Sequence, residues 1–65
     1  MLCKIVEIHK EEHIEEELVE GFWRPVDYVK VDVTYSHNDI VKRGIFRFRP
    51  SSWEFDKQHG KFIIF

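Results

Sequence analysis

Alanine is absent from the 65 residues and leucine occurs only twice, so the two strongest helix formers are nearly missing and a helical bundle is disfavoured on composition. Cys3 is the single cysteine; no intramolecular disulfide can form, and one lone thiol fits a reducing, cytoplasmic setting. Three glycines, at 21, 44 and 60, cannot build a glycine-rich phosphate loop. No apolar run approaches the roughly 20 residues of a membrane helix. The start Met1-Leu2-Cys3-Lys4-Ile5 also lacks the apolar stretch and small-residue cleavage site of a signal peptide. The expectation is a chain with no membrane partner. With no repeat, low-complexity tract or linker, residues 1–65 read as one small domain.

What is present is strand vocabulary: seven Ile, seven Val, six Phe, two Tyr and two Trp. At 43% hydrophobic and 15% aromatic, the chain is too apolar for intrinsic disorder despite 34% charge. A domain of this length hides only about 60% of the surface its unfolded chain exposes, so its core is marginal and invites support from a second subunit or a partner.

The net charge of −2 is a difference between unlike segments. Residues 1–20 carry Lys4 and Lys10 against seven Glu, whereas residues 21–50 carry six Lys or Arg against three Asp. A pI of about 6.0 argues against long-range attraction to nucleic acid or an anionic membrane, but leaves room for a local patch.

Along the chain, residues 2–10 read as a strand with Leu2, Val6 and Ile8 on one face and Cys3 and Ile5 on the other. Residues 11–20 admit a short helix ending at Gly21, but they lack an N-cap, and the like-charged pairs Glu11/Glu15, Glu12/Glu16 and Glu16/Glu20 oppose it. An exposed acidic loop or irregular strand running into Gly21-Phe22-Trp23-Arg24-Pro25 is the preferred reading. Residues 28–35 and 40–49 are strand-like and flank Ser36-His37-Asn38-Asp39, which predicts a hairpin. A loop centred on His37-Asn38 would place Val29, Val31, Val33, Tyr35, Ile40, Phe46 and Phe48 on a core face, with Lys42 as its one charge. On the opposite face that register sets Asp32 across from Arg43, a salt bridge, and Tyr28 across from Arg47, a cation–π pair.

Beyond Pro50, Ser51-Ser52-Trp53-Glu54 has the spacing of a capping box and Gly60 suits a helix end, so a helical turn over 52–58 competes evenly with a strand at 53–55. The last five residues read as a short strand apolar on both faces, needing cover on both sides. The fold class is therefore all-β or β-rich, a small antiparallel sheet or SH3-like barrel of four to six strands, with an OB-like barrel as the runner-up.

Two surfaces are candidate sites. Phe22 and Trp23, together with Phe62, Ile63, Ile64 and Phe65, can supply an apolar anchor for a protein partner or a second copy. Tyr28, Lys30, Arg43, Arg47 and Arg49, with Trp23 and Trp53 nearby, resemble the cationic and aromatic track of small barrels that bind single-stranded nucleic acid. The bland reading of that face is a solvated sheet surface neutralised by the acidic segment. His9 and His13 stand four apart, a zinc-compatible spacing only on a helix, so no metal is expected. Cys3 has no evident base, the Glu cluster is not a buried dyad, and a domain this small seldom encloses a substrate pocket. The sequence thus points to a non-enzymatic, cofactor-free binding module acting through protein contacts, as a homodimer or docked on a larger protein; single-stranded DNA or RNA binding is the alternative.

Overall fold

The computed structural model describes residues 1–64; Phe65, one of the expected anchor residues, lies outside them. The elements follow as β1 (Leu2–Val19), β2 (Phe22–His37), β3 (Ile40–Phe48), α1 (Pro50–His59) and β4 (Lys61–Ile63). The strands form one antiparallel sheet in the order β3-β2-β1-β4. This is the expected β-rich antiparallel fold, realised as a curled, open half-barrel with one short helix.

Both long hairpins close through two-residue turns. Glu20 and Gly21 have φ of 51° and 81°, and Asn38 and Asp39 have φ of 51° and 64°. Positive φ at both central residues is the signature of the turn that matches the twist of paired strands. Asn and Asp tolerate it because their short polar side chains bond locally. The second turn is therefore centred on Asn38-Asp39, not on His37-Asn38, and the pairing runs from His37↔Ile40 to Val29↔Phe48. This corrects the expected register by two residues. A slip of two preserves every face, whereas a slip of one would invert them all. Val29, Val31, Val33, Tyr35, Phe46 and Phe48 accordingly do meet in the core, while Ile40, at the sheet's end, stays exposed.

β1 runs through the acidic segment as an irregular strand, and residues 11–20 form no helix. Its register with β2 shifts between Ile5 and Glu7, between Ile8 and Lys10, and between Ile14 and Glu16. A bulge adds one residue, bends the strand and increases its twist. Leu2 and Val6 are exposed opposite Cys3 and Ile5 as expected, but the first shift corrects the place of Ile8, which packs on the core beside Cys3 and Ile5.

The helix competing for residues 52–58 forms and is longer than expected. Its N-cap is Arg49 with no side-chain cap hydrogen bond, and Pro50 takes a first-turn position where a missing N–H costs nothing. The expected capping box is not used; Glu54 instead accepts from Lys57 Nζ at 3.0 Å. Gly60, at φ 68°, closes the helix as its sequence position suggested. Its carbonyl then accepts from the Ile5 N–H at 2.7 Å, which ties the helix end to β1.

One helical residue reaches the core. Trp53 is 1% exposed, stacks on Phe48 at 5.3 Å between centroids with planes 14° apart, and donates from Nε1 to Glu11 Oε1 at 3.1 Å. Phe62 of β4 fills the concave side against Tyr35, Phe46 and Phe48, with centroid distances of 5.6, 5.3 and 5.6 Å. The termini are joined: the Met1 ammonium donates to the Ile64 carbonyl at 2.8 Å, and the Ile64 N–H to the Met1 carbonyl at 2.9 Å.

Trp53→Ala should destabilise by about 3–5 kcal/mol, enough to unfold a domain whose total stability is of order 5 kcal/mol. Trp53→Phe keeps a ring on Phe48 and loses the Glu11 bond. It should remain folded, with a lowered urea midpoint followed by circular dichroism.

Candidate interaction surface

β1 and β2 outrun their neighbours. β3 stops opposite Val29, and β4 pairs with β1 only at Leu2, Cys3 and Lys4. Residues 14–28 therefore form a two-stranded ribbon with no third strand, and the molecule is elongated, 42 × 22 × 20 Å. At its far end Leu18 stands opposite Trp23 and Val19 opposite Phe22, flanking the Glu20-Gly21 turn. Since successive residues alternate faces, the tip is apolar on both sides. Phe22 is 72% exposed and Trp23 67% exposed. In sequence Glu15, Glu16, Glu17 and Glu20 flank them with Arg24, and Glu17 lies 3.9 Å from Arg47. At the ribbon's base, His13 Nε2 donates to Asp27 Oδ1 at 2.6 Å beside the third register shift.

The expected anchor residues separate. Phe22 and Trp23 sit together at the tip, where residues with no core role can serve a partner. Phe62 is corrected: it is 1% exposed, a core side chain closed to any partner. Ile64 is half-buried against the core. Ile63 is exposed and lines an open cleft of about 430 Å³ with Arg47, Phe48, Arg49, Ser52 and Asp56, at the shoulder where β3 passes into α1. Leu18 was not singled out from sequence. The signal for it was present in the Glu20-Gly21 turn, whose two-residue geometry fixes Leu18 across from Trp23.

The basic face is interleaved with acids. Across β1, β2 and β3 one row holds Glu7, Thr34 and Arg43, the next Lys10, Asp32 and Ile45, and the next Glu12, Lys30 and Arg47. Arg43 donates from Nε and Nη2 to the two oxygens of Asp32 at 3.0 and 2.9 Å. Arg47 lies 5.1 Å over the Tyr28 ring and 3.9 Å from Glu17. Both expected pairs thus form, but diagonally rather than directly opposite. Long side chains span the diagonal neighbour in a twisted sheet. Trp53, expected near this face, is in the core instead. His9 bonds Thr34 Oγ1 at 2.6 Å, and among the described residues no group of three or more His, Cys, Asp or Glu gathers as a metal site.

No protein-family model, curated protein or solved structure matches the chain.

The guanidinium hydrogen bonds from Arg43 hold the Asp32 carboxyl below its ordinary value of 3.8. A depressed carboxylate stabilises the fold above its unfolded pKa, and that contribution fades as pH falls through the folded value. Asp32→Asn should therefore lower the urea midpoint at neutral pH, with the gap closing as pH falls through and below the ordinary carboxylate range. A constant gap down to pH 2 would show that the pair's charge is not responsible.

Proposed function

We propose that the protein is a non-enzymatic binding module that acts through protein contacts, with the tip of the β1–β2 hairpin as its anchor. The observation that carries this reading is the exposure of Phe22 and Trp23 at the end of a ribbon that no third strand supports. With about 70% of the 150–250 Å² of a whole aromatic side chain still exposed, each ring offers roughly 3–4 kcal/mol on burial at about 25 cal/mol per Å². Aromatic side chains in a well-packed contact are the usual energetic centres of interfaces. The surrounding Glu side chains keep the free tip soluble and select a partner that presents positive charge. They also oppose an anionic membrane or nucleic acid at this end of the molecule. The unbridged thiol of Cys3 supports a reducing, cytoplasmic setting.

Single-stranded nucleic-acid binding would need a cationic track. Arg43 and Arg47 are engaged by Asp32 and Glu17, and Glu7 and Glu12 stand in the same rows, so the protein-contact reading has the stronger support.

A photo-reactive amino acid placed at position 22 tests this in cells, with position 41, also exposed but remote from the tip, as control. Discrete protein adducts are expected at 22 that do not form at 41. No adduct at 22, or the same adducts at both positions, would refute the reading.

A further inference from the structure

We infer that the chain dimerises by adding a second copy, antiparallel, along the free edge of β3, with the two-fold axis at Gly44. The inference does not depend on the hairpin tip, which lies beyond the end of β3 and stays available in the dimer.

The free edge of β3 is long and unguarded. β1 shifts register three times and is rich in Glu, the 22–28 edge of β2 carries Pro25, and β4 is three residues long. Such devices are how natural edges are blunted against strand addition. β3, by contrast, pairs with β2 from Ile40 to Phe48 with no register shift and contains no proline. None of its residues is buried, and Ile40, Val41 and Ile45 are each more than half exposed. Its two arginines turn away from the edge: Arg43 reaches back across the sheet to Asp32, and Arg47 lies over Tyr28 and towards Glu17.

The main chain of this edge has a definite phase. The two-residue turn makes His37 and Ile40 a pair that exchanges both main-chain hydrogen bonds, so Ile40, Lys42, Gly44, Phe46 and Phe48 bond inward to β2. Val41, Arg43, Ile45 and Arg47 therefore point their N–H and C=O groups outward. Centring a second β3 on Gly44 sets Val41 across from the second copy's Arg47, and Arg43 across from its Ile45. Every outward group then meets a partner. About eight main-chain hydrogen bonds result, within the roughly 10 ± 5 of a typical interface.

Charge selects the register. About Gly44, Lys42 faces the second copy's Phe46 and Ile40 its Phe48, so no cation faces a cation. Just outside the strand, Asp39 at the turn comes across from the second copy's Arg49, and both are exposed. The two-fold axis repeats each of these pairs. Moving the axis to Arg43 sets that residue against itself, and moving it to Ile45 sets Arg43 against Arg47. Like charges directly opposite destabilise a strand pair. The acidic edge of β1 would attract β3, but its bulges interrupt the ladder, and head-to-tail addition grows a chain of copies where the two-fold contact closes.

Light scattering coupled to size exclusion, over a concentration series, reads the mass, and circular dichroism reads the fold. The unmodified protein should be a dimer, and Phe22→Ser with Trp23→Ser should leave it one. Ile45→Pro removes an outward N–H and should be a folded monomer, since an edge strand tolerates proline on its solvent side. If it does not fold, Ile45→Arg decides instead: it faces the second copy's Arg43 and should raise the dissociation constant roughly tenfold or more. The register is read by cross-linking with diamide as oxidant. A mixture of Val41→Cys and Arg47→Cys proteins should form a mixed disulfide, and neither protein alone should couple to itself; Cys3 is buried and does not compete. A photo-reactive residue at position 41 likewise captures the second copy, an adduct distinct from those formed at 22. A monomer at every concentration would overturn the inference and leave the tip reading intact. A dimer lost with the Phe22 and Trp23 substitutions, or one indifferent to the Ile45 substitutions, would place the contact elsewhere and overturn it. A dimer that yields no mixed disulfide would overturn the Gly44 register and the inference with it.

Discussion

Four strands curl only halfway round, so the concave face of the sheet has to be sealed by something other than a strand, and a single indole does it. Trp53 is the one fully buried residue of α1, and its position determines the rest of the carboxyl-terminal path. With the ring stacked on Phe48 and its N–H on Glu11, the helix spans the concave side from β3 towards β1. Gly60 then reverses the chain beside Ile5, and Phe62 drops into the space among Tyr35, Phe46 and Phe48. The curl that makes room for these rings comes from the bulges in β1, which bend the strand and turn Ile5 and Ile8 to the same side. Without the lid the face would be an exposed aromatic surface; without the curl the lid would have nothing to close.

Charge that is segregated along the chain becomes interleaved in space. The acidic β1 lies beside β2 and β3, so Glu7 and Glu12 share rows with Arg43, Lys30 and Arg47. Exposed pairs such as these gain little against solvent and salt screening, so they are not what holds the fold. Their consequence is for partners: the five cationic and aromatic residues that look in sequence like a nucleic-acid track are half occupied by the protein's own carboxylates. The exception is the hairpin end, where β1 runs past β3 and Glu15, Glu16 and Glu20 face solvent beside Arg24, while Glu17 reaches back to Arg47.

The strand content, the central hairpin and its core face were legible because they rest on alternation, which survives an error of two in register. The same parity logic found the Asp32–Arg43 and Tyr28–Arg47 pairs, since diagonal neighbours remain within reach. Bulges were not legible. They change parity mid-strand without any fixed residue signature, so Ile8 was grouped with Leu2 and Val6 although it packs beside Cys3 and Ile5. The fates of Trp53 and Phe62 depended on what covers the sheet, a tertiary fact with no local signal. Phe22 and Trp23 were recognisable as a pair beside Gly21, but their exposure follows from β3 stopping at Phe48, and strand length is set by where Pro50 begins the helix.

The core needs nothing beyond Val29 on β2 and Glu11 on β1, so residues 14–28 extend a fold that is already closed. An isolated two-stranded ribbon is at best marginally stable in water, and this one persists because its base continues into the larger sheet. Its edges are protected against strand addition: Pro25 interrupts one and a run of Glu lines the other. Its faces are not protected, and its two largest aromatic rings stand at the tip. Protection of the edges together with exposure of the faces separates this ribbon from an unguarded sheet edge. Edge pairing is disfavoured while side-chain docking is left open, which is the property a contact module requires and a purely structural extension does not.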